Sequence, residues 1–553
     1  MQPAISSNIA SALPAMAQAR PFAMAVVYPE GHDREGRVCY THLTYQQLDD
    51  ESSRLAAGLK SIGIDRGVHT VLMVKPSLEF FALTFALFKL AAVPILIDPG
   101  MGVRNLGKCL EEAEPKAFIG IPKAHIARRI LKWGKNTIKT NITVGRRGPW
   151  EGFDLHQIRS FGNANHMSVA EVKEDETAAI LFTSGSTGPP KGAIYTHGIF
   201  TSQVRILRDL YQIEPGEIDL ATFPLFALFA PALGMTAIVP DMDATRPAQV
   251  NSKKIFEAID NFGVTNMFGS PALLDRVGRD AEAAGKTFPS LRRVLSAGAP
   301  VRAHVIARFQ KTLAPGVQIY TPYGATESLP VASVGSETIL GETQTLTSQG
   351  AGVCLGKPVS SATAHVIKIS DGPILTWSDD LIVAPGEIGE ISVKGPTVTR
   401  AYYRRDEATK LAKIVDPAGG FYHRMGDLGY FDQQGRLWFC GRKTQRVTTT
   451  TGTLFTIPCE AIFNNHPAVA RSALVGIGPF GQQKPVICIE LKAESKNVDQ
   501  KKTRAELLEL GALSPHTKTI QNLLFHPGFP VDIRHNAKIF REKLAVWAAG
   551  KIR

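Results

Sequence analysis

Cysteine is scarce and dispersed in this 553-residue chain: Cys39, Cys109, Cys354, Cys440, Cys459 and Cys488 form no C-x-x-C pair. That spacing argues against a zinc ribbon or a disulfide framework and favours a reducing compartment. Long apolar runs are missing too. The most apolar stretches, 80–97 and 225–240, are broken by Lys89 and Pro94 and by Pro231 and Gly234. Neither supplies the about 20 apolar residues that a spanning helix needs. The start, "MQPAISSNIASALPAMAQAR", lacks the basic residues and apolar core of a signal peptide. The expectation is a soluble cytoplasmic protein with no membrane span. Of the net charge of +12, much falls in residues 442–553, which carry 17 Lys and Arg against 8 Asp and Glu. These basic residues are scattered, and no zinc finger, homeodomain or RNA-binding aromatic motif accompanies them, so a nucleic-acid partner is not expected.

What is present is ordinary globular composition, 44% apolar and 20% charged, in a chain too long for one core. Thr44 caps a helix whose Leu48, Leu55, Leu59 and Ile62 share a face, and Gly63 ends it. Strands at 69–74, 93–97 and 116–121 alternate with helices at 77–90, 105–112 and 125–133, which predicts a mostly parallel sheet covered on both faces. The rhythm returns in 254–280 and 291–300, giving a second wound α/β layer. After about residue 350, "PGEIGEISVKGPTVTRAYY" (385–403) and "GRLWFCGR" (435–442) read as short strands of a small β-subdomain. Past Gly441 the strands "SALVGIG" and "KPVICIELKA" and an amphipathic helix near 537–549 suggest a separate α+β unit.

Three stretches carry chemistry. In "AAILFTSGSTGPPKG" an apolar strand, Ala178 to Phe182, runs directly into a Ser/Thr/Gly loop. Glycines let backbone N–H groups approach an anion, and hydroxyls and a lysine add donors, as a triphosphate requires. The P-loop pattern G-x-x-x-x-G-K-S/T fails, because Pro190 precedes Lys191 and Gly192 follows it. A surface linker is the competing reading of this loop taken alone. "IYTPYGATES" (319–328) offers a stacking face at Tyr323, a hydroxyl at Thr326 and a carboxylate for a hard cation at Glu327. "HRMGDLGYFDQQGRLWFCGRK" (423–443) supplies Asp427, able to accept from both ribose hydroxyls, and Arg442 with its planar donors.

The order and spacing of all three resemble the adenylate-forming superfamily of acyl-CoA synthetases, peptide-synthetase adenylation domains and luciferases, over nearly the whole chain. The resemblance implies an N-terminal domain, 1–441, holding ATP and acyl sites, and a small mobile C-terminal domain, 442–553, the two meeting near Gly441–Lys443. It implies a phosphate loop of Thr183, Ser184, Gly185, Thr187, Gly188 and Lys191. Gly298, Ala299 and Pro300 then line the adenine site with Tyr323 and Gly324. Thr326 contacts the α-phosphate, Glu327 holds Mg²⁺, and Asp427 and Arg442 bind ribose. The family's late lysine corresponds to Lys538 in "FPVDIRHNAKIFREKL", although Ala537 stands where glycine is usual. An ammonium there meets charge that develops as a carboxylate oxygen attacks the α-phosphorus. ATP and Mg²⁺ are the implied cofactors.

Departures from the acyl-CoA ligase pattern bear on the second step. Ala227 stands at a usual histidine position, Thr444 at the usual hinge Asp or Lys, and four threonines precede Gly452 where ligases line a thiol channel. With the "HNAKIFREKLAVWA" ending, these look most like the olefin β-lactone synthetase branch. That likeness implies a long-chain 2-alkyl-3-hydroxy acid, closed to a β-lactone by its own hydroxyl, in hydrocarbon biosynthesis with other enzymes of that pathway as partners. Phe223, Phe226, Ala227, Phe229, Leu233, Met267 and Phe268 are the candidate acyl pocket, where each buried methylene is worth about 0.8 kcal/mol. His197 and His423 are candidate bases only by their nearness to motifs. A fatty acyl-CoA ligase, or a non-catalytic acyl- or nucleotide-binding protein, remains the alternative at this point.

Overall fold

A computed structural model describes residues 7–97, 101–162, 167–183, 190–223, 227–495, 498–531 and 539–552. A seven-stranded sheet runs in the order Phe153–Asp154, Thr140–Thr143, Ala117–Gly120, His69–Met73, Val93–Ile97, Thr177–Thr183, Lys191–Thr196. Every neighbouring pair is parallel except the last, a hairpin in which Thr183 faces Lys191. A fourteen-stranded sheet contains a parallel stretch, Met24–His32 to Thr236–Ile238, Ile218–Ala221, Asn266–Phe268, Arg293–Leu295 and Gln318–Ala325.

The packing forms five layers. One core lies between the sheets, and it is filled by helices Tyr45–Ser61, Leu78–Lys89 and His197–Tyr211. A second core backs the larger sheet with Ser252–Phe262, Pro271–Ala284 and Ala303–Gln310. A third backs the smaller sheet with Val103–Ala113. The first long helix starts as its sequence predicts: the Thr44 hydroxyl accepts from the Gln47 N–H, and the Gln47 side chain returns the bond to the Thr44 N–H. Leu78–Lys89 is buried nearly all round, which accounts for its unbroken apolar character. Its Lys89 ammonium is paired inside the core with the Asp49 carboxylate at 2.6 Å and donates to the Ser53 hydroxyl at 2.7 Å.

The small β-region is not a separate sheet. Ser328–Gly335 pairs with Val353–Pro358, which pairs with Leu437–Arg442, so the hydrogen-bonded ladder continues unbroken from the second α/β layer. Tyr323 and Asp427 lie four strands apart in that order. In a flat sheet about 4.8 Å per strand would separate them by about 19 Å. The Tyr323 hydroxyl nevertheless reaches Asp427 Oδ2 at 2.8 Å, so the sheet rolls over on itself here. Beyond residue 447, Val469–Ile477, Lys484–Leu491 and Asn522–Phe525 form a three-stranded sheet with its own cores. Helix Arg541–Ala549 packs on it.

Candidate functional site

Ligands of open α/β sheets bind beyond the carboxyl ends of parallel strands. Four adjacent strands of the larger sheet end at candidate residues. Phe223 follows Ile218–Ala221, Phe268 ends Asn266–Phe268, Gly298 to Pro300 follow Arg293–Leu295, and Tyr323 and Gly324 close Gln318–Ala325. The acyl candidates and the adenine candidates therefore stand in one row. Gly298 has φ +94°, a left-handed conformation open to glycine. At Gly324 a Cβ would lie 2.5 Å from the Ser328 carbonyl oxygen, so the strand turns tightly only without a side chain.

At one end of the row lies an ion pair between buried Asp427 and half-buried Arg442. Asp427, 4% exposed, faces Arg442 across neighbouring strands, with 3.0 Å between Arg442 Nη1 and Asp427 Oδ1. The carboxylate raises the arginine's proton affinity further, and burial together with that same carboxylate holds the Tyr323 phenol neutral. Arg442 is the last residue of strand Leu437–Arg442, so the rolled sheet fixes it.

Thr326 and Glu327 form the turn between Gln318–Ala325 and Ser328–Gly335. Segment 399–403 holds this turn against the other sheet. The Thr399 N–H donates to the Glu327 carbonyl at 2.8 Å, Tyr403 N–H to Gly192 at 2.7 Å, and Ala193 bridges Tyr402. The Tyr195 hydroxyl donates to the Thr326 carbonyl at 2.6 Å. Most directly, the Tyr402 hydroxyl donates to Glu327 Oε1 at 2.6 Å while the Lys191 ammonium sits 4.8 Å from the centre of the same ring. One side chain thus fixes the relation between the candidate metal carboxylate and the candidate phosphate lysine. Behind it, buried Lys413 donates to the Thr399 carbonyl and lies opposite His423. Burial lowers the Lys413 pKa to about 7, with Glu327 opposing that shift.

The sequence reading did not single out Tyr402, Tyr195 or Lys413. "TRAYYRRDE" carries no local motif, and only the pairing of distant strands brings Tyr402 to Glu327. Neither candidate base reaches solvent. His197 is fully buried with its pKa lowered to about 4 by desolvation, and buried His423 is held neutral by burial and by Lys413.

Among the acyl candidates, Met267 and Phe268 point to opposite faces, as adjacent strand residues must. Met267 is completely buried in the core behind the sheet, whereas Phe268 is partly exposed and its ring lies 6.2 Å from that of Phe223. Ala227 and Leu233 are buried in the core between the sheets, and Phe229 packs on Phe200. The Thr183 side chain, Ser184, Gly185, Thr187, Gly188, Phe226 and Lys538 lie outside the described residues. Among the described residues no three His, Cys, Asp or Glu cluster as a metal site. A lone carboxylate at Glu327 fits Mg²⁺ all the same, because that ion is held by one or two carboxylates together with substrate phosphates.

The chain is similar to known proteins over most of its length. The family model for AMP-binding enzymes matches residues 15–403. The olefin β-lactone synthetase of Xanthomonas campestris pv. campestris is 50% identical over 547 residues, covering 98% of this chain and 97% of that protein. The olefin β-lactone synthetase of Stenotrophomonas maltophilia is 48% identical over 551 residues, covering 99% and 98%. Among solved structures, ATP-bound MatB from Rhodopseudomonas palustris shares the fold, with a TM-score of 0.77 at 20% identity over 99% of this chain and 100% of that one.

Proposed function

Because the chain belongs to the family of AMP-binding enzymes, we propose that it activates a long-chain 2-alkyl-3-hydroxy acid with ATP and closes it to a β-lactone. The observation that carries this reading is the near-complete, 50% identical match to a protein named for that reaction. In the first step a carboxylate oxygen attacks the α-phosphorus and pyrophosphate leaves. In the second, the substrate's β-hydroxyl oxygen attacks the activated carbonyl carbon, the bond from that carbon to the phosphate oxygen breaks with its electron pair leaving on AMP, and the hydroxyl proton passes to water or to the departing phosphate.

The residue roles follow the row of strand ends. Tyr323, with Gly298 to Pro300, offers a surface for adenine, and Asp427 with Arg442 takes the ribose hydroxyls. Thr183, Ser184, Gly185, Thr187, Gly188 and Lys191 take the phosphates, Thr326 the α-phosphate, and Phe223 and Phe268 the start of the alkyl chains. Glu327 would hold Mg²⁺, whose charge offsets that of the triphosphate. Residues 442–553 serve as the unit that presents Lys538. This role is supported by cores built wholly within that region.

The direct test is product analysis with a 2-alkyl-3-hydroxy acid, ATP and Mg²⁺, with and without coenzyme A. A product lighter by one water, formed equally in both arms, is expected. Acyl-coenzyme A as the main product overturns the reading.

The carboxylate brace gives a second expectation. Glu327→Gln keeps the volume but removes the charge, so turnover falls steeply and recovers in part at high Mg²⁺. Tyr402→Phe leaves the charge but frees the carboxylate. Loss of one hydrogen bond to a charged group raises the Mg²⁺ concentration for half-maximal pyrophosphate release about tenfold. A Mg²⁺ titration that coincides with wild type removes Tyr402 from this role.

A further inference from the structure

Between Glu114 and Glu151 the chain carries nine Lys and Arg and not one Asp or Glu. This run builds helix Pro122–Ile130 and the turns after it, on the outer side of the smaller sheet. The inner side of the helix is satisfied: Ala124 and His125 are buried, and the His125 ring stacks on Trp150. Its outer side is not. Ile126 is 48% exposed, Ile130 72% and Leu131 44%. Ile126 and Ile130, one helical turn apart, share a face. Single exposed aliphatics mean little, but three together inside a basic surround mark a docking surface. Lys123, Arg129, Lys132 and Lys135 are all exposed around them. Of the acidic groups just before the run, Glu112 and Glu114 are engaged by Arg405 and Arg404 at 2.6 and 2.7 Å, which leaves exposed Glu111 against nine basic residues.

We propose that this face docks the protein on an anionic lipid bilayer, with Ile126, Ile130 and Leu131 entering the headgroup–acyl boundary and the lysines and arginines meeting lipid phosphates. Branched aliphatics at the centre of the patch gain free energy in acyl chains and gain none against a nucleic-acid backbone, and they decide between those two polyanions. The helix lies on the surface and does not cross it: no described helix is long and apolar enough to span a membrane. A bilayer is also where an acid with two long alkyl arms partitions, so docking would shorten its path to the strand-end row. The inference itself rests only on charge and exposure, not on the reaction.

The experiment is vesicle co-sedimentation of the full chain, with phosphatidylcholine alone and with added phosphatidylglycerol. Binding is expected only to the mixed vesicles, and it weakens as salt rises because each contact is screened over about 10 Å at 0.1 M. Each basic side chain near the surface contributes about fivefold, so K123E/R129E lowers the partition coefficient by at least about 25-fold. I126S/I130S lowers it several-fold at low salt. Both pairs are exposed, and turnover of a short, soluble 3-hydroxy acid is expected to stay at the wild-type level, showing that the fold is intact. Absence of binding to phosphatidylglycerol vesicles overturns the proposal. So does binding that both pairs leave unchanged, and so does binding of duplex DNA without vesicle binding.

Discussion

Replacing Lys538 with alanine lowers the rate of pyrophosphate release by about 10² to 10³, while ATP affinity stays within several-fold of wild type. The two numbers separate because the proposed contact matures with the reaction. In the ground state of the proposed mechanism the phosphate charge is already met by Lys191, so an additional ammonium is expected to contribute little. As the carboxylate oxygen closes on phosphorus, negative charge gathers on the oxygens of the transition state, and a fixed cation acts there without reorganising. Removing one such preorganised group costs on the order of 3–4 kcal/mol in the barrier. A lysine serving only as a solvated surface charge changes neither number. Binding and single-turnover pyrophosphate assays together decide it: unaltered release removes Lys538 from the mechanism, and a parallel loss of affinity and rate makes it a ground-state binder.

Elements whose cause is local were legible in the sequence. The Thr44 cap, the strand Val93–Ile97 and the apolar strand ending at Thr183 each rest on a few consecutive residues, and their bounds agree closely with expectation. What escaped depends on residues far apart in the chain. The small β-subdomain was legible from its Gly and Pro turns, but not which sheet it extends: Ala332 pairs with Pro358 and joins it to the larger sheet. The roll that brings Asp427 to Tyr323 has no local signature either. Tyr402 is unremarkable in its own segment and meaningful only once Ala193 bridges it. Met267 and Phe268 were read as pocket partners, although the two-residue period of a strand already assigns them opposite faces. The exposed Ile126 and Ile130 show the converse. As sequence they look like a core face, and only the packing of Ala124 and His125 reveals which side of the helix is covered.

A matched pair of substrates separates lactone closure from thioester formation. A 2-alkyl-3-hydroxy acid turns over fully without coenzyme A, giving AMP, pyrophosphate and a product lacking one water. The same acid without its 3-hydroxyl stops at a single bound acyl-adenylate, with one pyrophosphate released per protein and little AMP. The reason lies in where the nucleophile comes from. A tethered hydroxyl two carbons from the carbonyl needs no second binding site, and intramolecular attack gains up to 10⁵–10⁸ M in effective concentration. The leaving group is already activated, which offsets the strain of a four-membered ring. Neither candidate base is exposed: His197 and His423 are buried and held neutral. Ala227, Thr444 and the four threonines before Gly452 are the positions at which the sequence reading departs from the acyl-CoA ligase pattern. Coenzyme A added to the deoxy acid therefore changes little. Steady acyl-coenzyme A formation from the deoxy acid, at a rate comparable to turnover of the hydroxy acid, makes the chain an acyl-CoA ligase despite those positions.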